Sequence, residues 1–219
     1  MVKKINIKKT KFYFLFFIFF IVSCETSKKV PELYKEAEPS VVMIVGIDEY
    51  GNILKIGTGF FISRNGYLLT NRHVVENTYA IGIKTKDNEI KEVKIIDISD
   101  KADLALLKVN NYKKFRHLQI SKAVPRVGEQ VIVISNPQGL ERSLSEGVIS
   151  AERDDKFGVG KVYQMTAPIS PGSSGGPVLN MKGKVVGIAT GGFSDGQNIN
   201  FAITLDEIIE FIKENKIRY

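Results

Sequence analysis

From Val41 onward the chain breaks into about twelve short apolar runs, nearly all only a few residues long and separated by turn signals. This rhythm limits the fold more than any other feature of the 219 residues. Runs of this length suit strands rather than ordinary helices, and a long series of them argues for an all-β sandwich or barrel architecture. They cover residues 41–45, 57–62, 68–70, 80–84, 89–98, 104–109, 130–134, 144–151, 162–166, 178–179, 185–189 and 200–203. Asn65-Gly66 marks a hairpin, because these residues accept positive φ. Further turns fall at 86–88, 181–183 and 194–196. A helical period begins only at Leu205, where Leu205, Ile208, Ile209 and Ile212 share one face behind Thr204 as N-cap. The polar stretch 110–125 reads as a boundary between two halves. The pattern alone leaves open whether these halves are one sandwich or two barrels.

Ahead of this body the chain has a different character. Lys3, Lys4, Lys8, Lys9 and Lys11 precede residue 24, no acid does, and residues 12–22 are all apolar or aromatic. As a helix that run rises about 16 Å, too short to cross a bilayer core but the length of a signal-peptide apolar region. It ends at Ile21-Val22-Ser23-Cys24, where the only cysteine of the chain follows a small residue. The arrangement resembles a bacterial lipobox. It implies a signal peptide over 1–23, cleavage before Cys24, and a lipid on that sulfur holding the protein to a membrane of the cell envelope. Residues 24–39 then read as a tether. Within them, 30–34 either docks on the domain or a partner, or starts a short solvated helix.

Charge and ligand counts exclude several classes. The formal charge is +7, from 31 Lys and Arg against 24 Asp and Glu. Without the five leading lysines it falls to +2, and the remaining bases are interspersed with acids, so no nucleic-acid partner is expected. One cysteine and two histidines are too few for a disulfide framework or a His/Cys zinc site, and no metal or cofactor is expected. Gly158-Val159-Gly160-Lys161 lacks the spacing of a phosphate-binding loop and reads as a hairpin tip.

Three segments carry chemistry. Thr70-Asn71-Arg72-His73-Val74-Val75 follows a strand, Asp103 opens one, and Pro171-Gly172-Ser173-Ser174-Gly175-Gly176-Pro177 is a glycine-rich loop between strands. Acyl transfer by a serine needs an imidazole to take the hydroxyl proton and return it to the leaving group, with a carboxylate to fix the tautomer. It also needs backbone N–H donors for the oxyanion, and a Gly-x-Ser-Gly-Gly loop can aim the N–H groups of Gly172 and Ser174 at one oxygen. Asp97 and Asp100 compete with Asp103 for the carboxylate, and Ser173 competes with Ser174 for the nucleophile. His117 reads as structural.

These segments, in the order His, Asp, Ser, resemble the HtrA/Deg-type branch of the trypsin-like serine peptidases. Residues 57–62, 69–75, 103–107, 135–140, 146–150 and 171–179 all match, spanning nearly the whole chain after Val41. The resemblance implies two six-stranded antiparallel β-barrels of the chymotrypsin/trypsin-like fold with a C-terminal helix. The N-terminal barrel would cover about 40–115, the C-terminal barrel about 125–203 and the helix about 205–216, all within a peptidase domain at 40–219. It implies His73 as base, Asp103 as orienting carboxylate, Ser174 as nucleophile, and Gly172 and Ser174 as the oxyanion hole. Pro168, Ile169, Ser170, Thr190, Gly191 and Gly192 would line the primary specificity pocket. No acid lies among them, so small or medium aliphatic side chains are expected there rather than Lys or Arg. The chain departs from the family at Ser173 and Ser170, both often Asn, and at Thr166, usually Asp. Only 16 residues follow Ile203, so a peptidase domain without a PDZ domain is expected.

The function implied is endoproteolysis of unfolded or damaged envelope proteins, with unfolded polypeptides as substrates. A homotrimer through residues 32–38 is compatible with the family. A non-catalytic binding lipoprotein on the same fold, or a surface-displayed protease acting on host proteins, are the alternative readings.

Overall fold

A computed structural model describes residues 28–110, 114–154, 158–192 and 198–217. Residues 1–23 and Cys24, expected as signal peptide and lipidation site, lie outside the described residues.

Twelve strands form two closed barrels. The first contains β1 (Val41–Ile47), β2 (Ile53–Phe61), β3 (Tyr67–Thr70), β4 (Ala80–Lys84), β5 (Ile90–Ile98) and β6 (Ala105–Val109), in the order β1-β2-β3-β6-β5-β4. The second contains β7 (Gln130–Ser135), β8 (Ser143–Arg153), β9 (Val162–Met165), β10 (Pro177–Asn180), β11 (Val185–Gly192) and β12 (Asn200–Thr204). Its order, β10-β11-β12-β9-β8-β7, repeats the first topology six strands later. Closure leaves neither sheet an open edge. Sequence patterning left one sandwich and two barrels open; the fold is the pair of barrels.

Strand alternation explains why so many runs read as continuously apolar. In β6, Ala105, Leu107 and Val109 fill the first barrel, while Leu106, with Leu104 just ahead of the strand, faces the core between the barrels. In β7, Val131 and Val133 fill the second barrel, and Ile132 and Ile134 face the same shared core. Successive side chains point to opposite faces, and here both faces are buried, so the polar half of the usual alternation is missing. The connecting stretch 114–129 is strapped over both barrels. Leu118 donates its N–H to Phe61 at 2.9 Å, and Ile120 forms a parallel bridge with Val185.

The terminal helices close the shared core. In α1 (Val30–Ala37), proline stands in the first turn and Leu33 and Ala37, one helical turn apart, are buried in the inter-barrel core. Of the readings of 30–34 left open by the sequence, the structure has the segment docked on its own domain, within the helix α1. Arg72–Val75 forms a single turn, α2, which the sequence pattern did not reveal. In α3 (Leu205–Glu214), Leu205, Ile208 and Ile212 are buried as the period requires, joined by Phe211. Thr204 holds the N-cap position, but its hydroxyl makes no capping bond.

Leu33 is 1% exposed. Leu33→Ala is expected to lower unfolding stability by about 2–5 kcal/mol, read from urea denaturation. A loss below about 0.5 kcal/mol, the ordinary surface value, would show that α1 is not part of the cooperative fold.

Candidate active site

The turn after β3 brings His73 to the junction of the barrels. Asn71, the residue preceding α2, does not cap it with its side chain; its Nδ2 donates instead to the Asp103 carbonyl oxygen at 2.8 Å. This ties the turn to the start of β6, 32 residues away. Asp103 then meets His73 twice. Oδ1 accepts the His73 backbone N–H at 3.0 Å, and Oδ2 lies 2.7 Å from ring Nδ1. The Thr190 hydroxyl donates to the same Oδ2 at 2.7 Å. An ionised carboxylate only accepts, so Nδ1 carries the proton and Nε2 keeps its lone pair. The Asp103 side chain is 3% exposed and that of His73 is 44% exposed, so the orienting group is buried and the imidazole is reachable.

Burial is the largest influence on the Asp103 carboxyl and pushes its pKa up. The hydrogen bond and charge of His73, the Thr190 hydroxyl and the His73 backbone N–H together outweigh it, holding the group below the usual carboxylate range. Lys55 supports the turn from the other end, with Nζ donating to the carbonyl oxygens of His73 and Glu76, each at 2.6 Å. A cation there also complements the carbonyl end of the turn.

The glycine-rich loop joins β9 to β10 and packs against β2. The Thr58 N–H donates to the Ser174 carbonyl and the Thr58 hydroxyl to the Gly172 carbonyl, each at 2.8 Å. Gly175 has φ +86°, and a Cβ there would sit 1.9 Å from the Thr58 carbonyl oxygen, so only glycine fits. Gly172 has φ +95°, and its Cβ would lie 2.5 Å from the Asn136 carbonyl oxygen. The Pro171 carbonyl accepts from Gln138 N–H at 2.7 Å. Among the described residues, the N–H groups of Gly172 and Ser174 have no acceptor. Ser174 Oγ donates to the Thr190 carbonyl oxygen at 2.8 Å, so Thr190 touches Asp103 with its hydroxyl and Ser174 with its backbone.

The rival candidates fall elsewhere. Ser173 is buried, and its Oγ accepts from Ser135 Oγ at 3.0 Å and from Ser170 N–H at 3.2 Å. Asp97 accepts from Asn215 Nδ2 at 2.7 Å beyond the end of α3, and Asp100 is exposed. His117 lines clefts on the face bearing α1. Pro168 and Ser170 are exposed and Ile169 is half-buried against the second barrel's core. Thr190 and Gly191 are half-buried and Gly192 is exposed. Sequence reading did not single out Thr58, Asn71 or Asn136, and saw Thr190 only as a pocket wall. Asn136 is fully buried, its N–H donating to Thr58 Oγ1 at 2.9 Å and its Nδ2 to the Val42 carbonyl at 3.0 Å. The one available signal was a lone polar residue inside an apolar run, as Thr58 is within 57–62.

Two closed barrels, with a buried aspartate bonded to a histidine at their junction and a serine on a glycine-rich loop beside them, define a protein of the trypsin-like class. Residues 57–188 match the trypsin-like peptidase domain, and the chain belongs to that family. Among curated relatives it is 37% identical over 156 residues to a probable periplasmic serine endoprotease, DegP-like, of Bartonella henselae, covering 69% of this chain and 31% of that one. It is 37% identical over 169 residues to serine protease HTRA1 of Xenopus laevis, covering 74% of this chain and 36% of that one. The matched stretch thus spans about a third of the length of these relatives. Among solved structures, the serine endoprotease from Yersinia pestis superposes with a TM-score of 0.76 at 27% identity, covering 86% of this chain and 67% of that one. An HtrA-type protease solved with a tripeptide gives 0.77 at 26% identity, covering 85% and 63%.

The depressed Asp103 value fixes the sign of a pH effect. Its contribution to stability is complete above the unfolded carboxylate value of about 3.9 and is lost as pH falls through the lower folded value. The stability difference between the wild type and Asp103→Asn, measured by urea denaturation, is expected to be steady just above about pH 5 and to shrink below about pH 4. A difference that grows on acidification would contradict the depressed value.

Proposed function

We propose that the chain is a serine endopeptidase that works through an acyl-enzyme. The observation that carries this reading is the double contact of Thr190, which links Asp103 and Ser174 in one hydrogen-bonded set with His73. In the proposed cycle the Ser174 hydroxyl leaves the Thr190 carbonyl, and His73 Nε2 takes its proton as Oγ attacks the scissile carbonyl. The N–H groups of Gly172 and Ser174, which have no acceptor among the described residues, receive the oxyanion. Such donors contribute about 2.7–4 kcal/mol each to the barrier reduction, because they need no reorientation as charge develops. The imidazolium returns its proton to the leaving amine, and an ester remains on Ser174. Water, deprotonated by the same imidazole, then releases the acid. The vacated Thr190 carbonyl becomes an acceptor for a substrate backbone N–H.

The proposed substrates are unfolded or damaged polypeptides of the cell envelope, cut after small or medium aliphatic side chains. The lack of an acid among Pro168, Ile169, Ser170, Thr190, Gly191 and Gly192 supports that preference. The proposed location is the envelope, with a lipid on Cys24 as anchor; the periplasmic naming of the Bartonella henselae relative supports the compartment. No helix among the described residues is long and apolar enough to cross a membrane. A homotrimer through 32–38 would have to use the outward side chains of that segment, since Leu33 and Ala37 are buried in their own domain.

A non-catalytic binding role draws on one observation, that Ser174 Oγ is bonded to Thr190 rather than aimed at His73. A fluorophosphonate decides between the two. The enzyme is expected to take the label on Ser174 at neutral pH, and a chain that stays unlabelled would be a binder. Ser174→Ala is expected to lower casein cleavage by about 10⁶-fold. Full retention would overturn the mechanism, and a peptide-library profile dominated by Arg or Lys would overturn the aliphatic preference. Mass spectrometry of the N-terminal peptide is expected to begin at an acylated Cys24.

A further inference from the structure

The bases scattered through the sequence are gathered by the fold around α1. One cleft of about 440 Å³ is lined by Lys28, Lys182 and His117, with Glu36 from α1. A second, of about 420 Å³, is lined by Arg64, Lys114 and Arg116, again with His117 and Glu36. His117 and Glu36 are common to both, so the clefts form one continuous surface. The only acid they share, Glu36, is already ion-paired to Lys28. Arg64, Lys114, Arg116 and Lys182 are exposed and, among the described residues, pair with no carboxylate. These residues come from α1 and the chain ahead of it, the β2–β3 hairpin, the strap between the barrels and the β10–β11 turn. None of them belongs to the catalytic set.

Lys28, the first described residue, lies at this surface. The backbone N–H of Lys28 donates to the Met181 carbonyl at 2.9 Å, beside Lys182. Residues 25–27 alone separate Lys28 from Cys24, so the two Cα atoms lie at most about 14 Å apart whatever path the chain takes. A lipid on Cys24 would therefore hold this surface within that distance of the headgroups. The diacylglyceryl group expected on Cys24 would supply the anchor, and a polybasic patch beside it adds electrostatic attraction to anionic lipid.

We infer that the surface around α1 is a membrane-docking face for anionic phospholipid headgroups. It seats the domain on the bilayer by its basic side, instead of letting it tumble on a tether. The inference rests on the lipid anchor proposed above, and its test separates the two.

The full chain is purified from membranes and reconstituted on vesicles of phosphatidylcholine, alone or mixed with phosphatidylglycerol. Lysines are then acetylated by a water-soluble reagent and read by mass spectrometry. On anionic vesicles, labelling of Lys28, Lys114 and Lys182 is expected to slow by roughly fivefold or more relative to neutral ones, as for bases held at a negative surface. Lys161, beside the hairpin tip that packs near Asp103, is expected to label equally on both. About 1 M NaCl, where the Debye length is about 3 Å, is expected to remove the protection. The triple charge reversal K114E/R116E/K182E is expected to abolish it while leaving fluorophosphonate labelling of Ser174 unchanged, which also shows that the variant is folded. Equal labelling of the three lysines on both lipids would overturn the docking face. A chain that washes off neutral vesicles yet shows salt-sensitive protection on anionic ones would sink the anchor and leave the face standing.

Discussion

The contact on which the site depends is a buried carboxylate that reaches across the barrel junction. Asp103 and His73 both come from the first barrel, from the segments that flank the paired strands β6 and β3. Thr190, which completes the carboxylate's hydrogen bonds, comes from β11 of the second. An ionised aspartate with a side chain 3% exposed is tolerable only with donors on its oxygens, and here three donors are supplied from two elements besides its own. Moving the barrels apart would take Asp103 and His73 away from Thr190 and Ser174, which stay together in the second barrel. The geometry of the proposed catalytic set and the packing of the two barrels are therefore one problem.

The shared core answers that problem. Each inner strand sends alternate residues into its own barrel and into the space between barrels, so rigidity is continuous from Leu107 to Leu106 to Ile132 to Val133. Thr58 and Asn136 form the polar counterpart at the junction. Both are fully buried, and they hold the Gly172 carbonyl and the Val42 carbonyl in one network. The glycine-rich loop is pinned by this network together with its own glycines at 172 and 175. There, Ser173 and Ser170 hydrogen-bond one another, and Ser173 Oγ also accepts from Ser135 Oγ.

The segment ahead of the first barrel combines the two themes. Leu33 and Ala37 extend the inter-barrel core, while the polar flank of the same helix frames a basic surface. A short amphipathic helix thus serves as a packing element on one side and as part of a charged face on the other. His73, Asp103 and Ser174 lie outside both clefts, so the proposed docking on a bilayer and the proposed cleavage need not compete for the same surface.

Twelve runs in the sequence correspond to twelve strands, and the segments of His73, Asp103 and Ser174 could be singled out because the proposed chemistry demands specific side chains in local settings: a turn after a strand, an acid before one, a glycine-rich loop. The short turn α2 was not legible, since a single turn has no period to detect. The partners of the site were hidden for a different reason. Thr58, Asn71, Asn136 and Thr190 act through contacts spanning 16 to 114 positions, and no local pattern records which hydroxyl will meet which carbonyl. Charge behaved the same way: bases interspersed with acids along the chain became a single surface once distant turns were brought side by side. Alternation and residue chemistry, which act between near neighbours, thus determined the strands and the reacting groups, while tertiary structure decided which distant groups share a carboxylate, a loop or a face, because those choices are made by packing across the barrel junction.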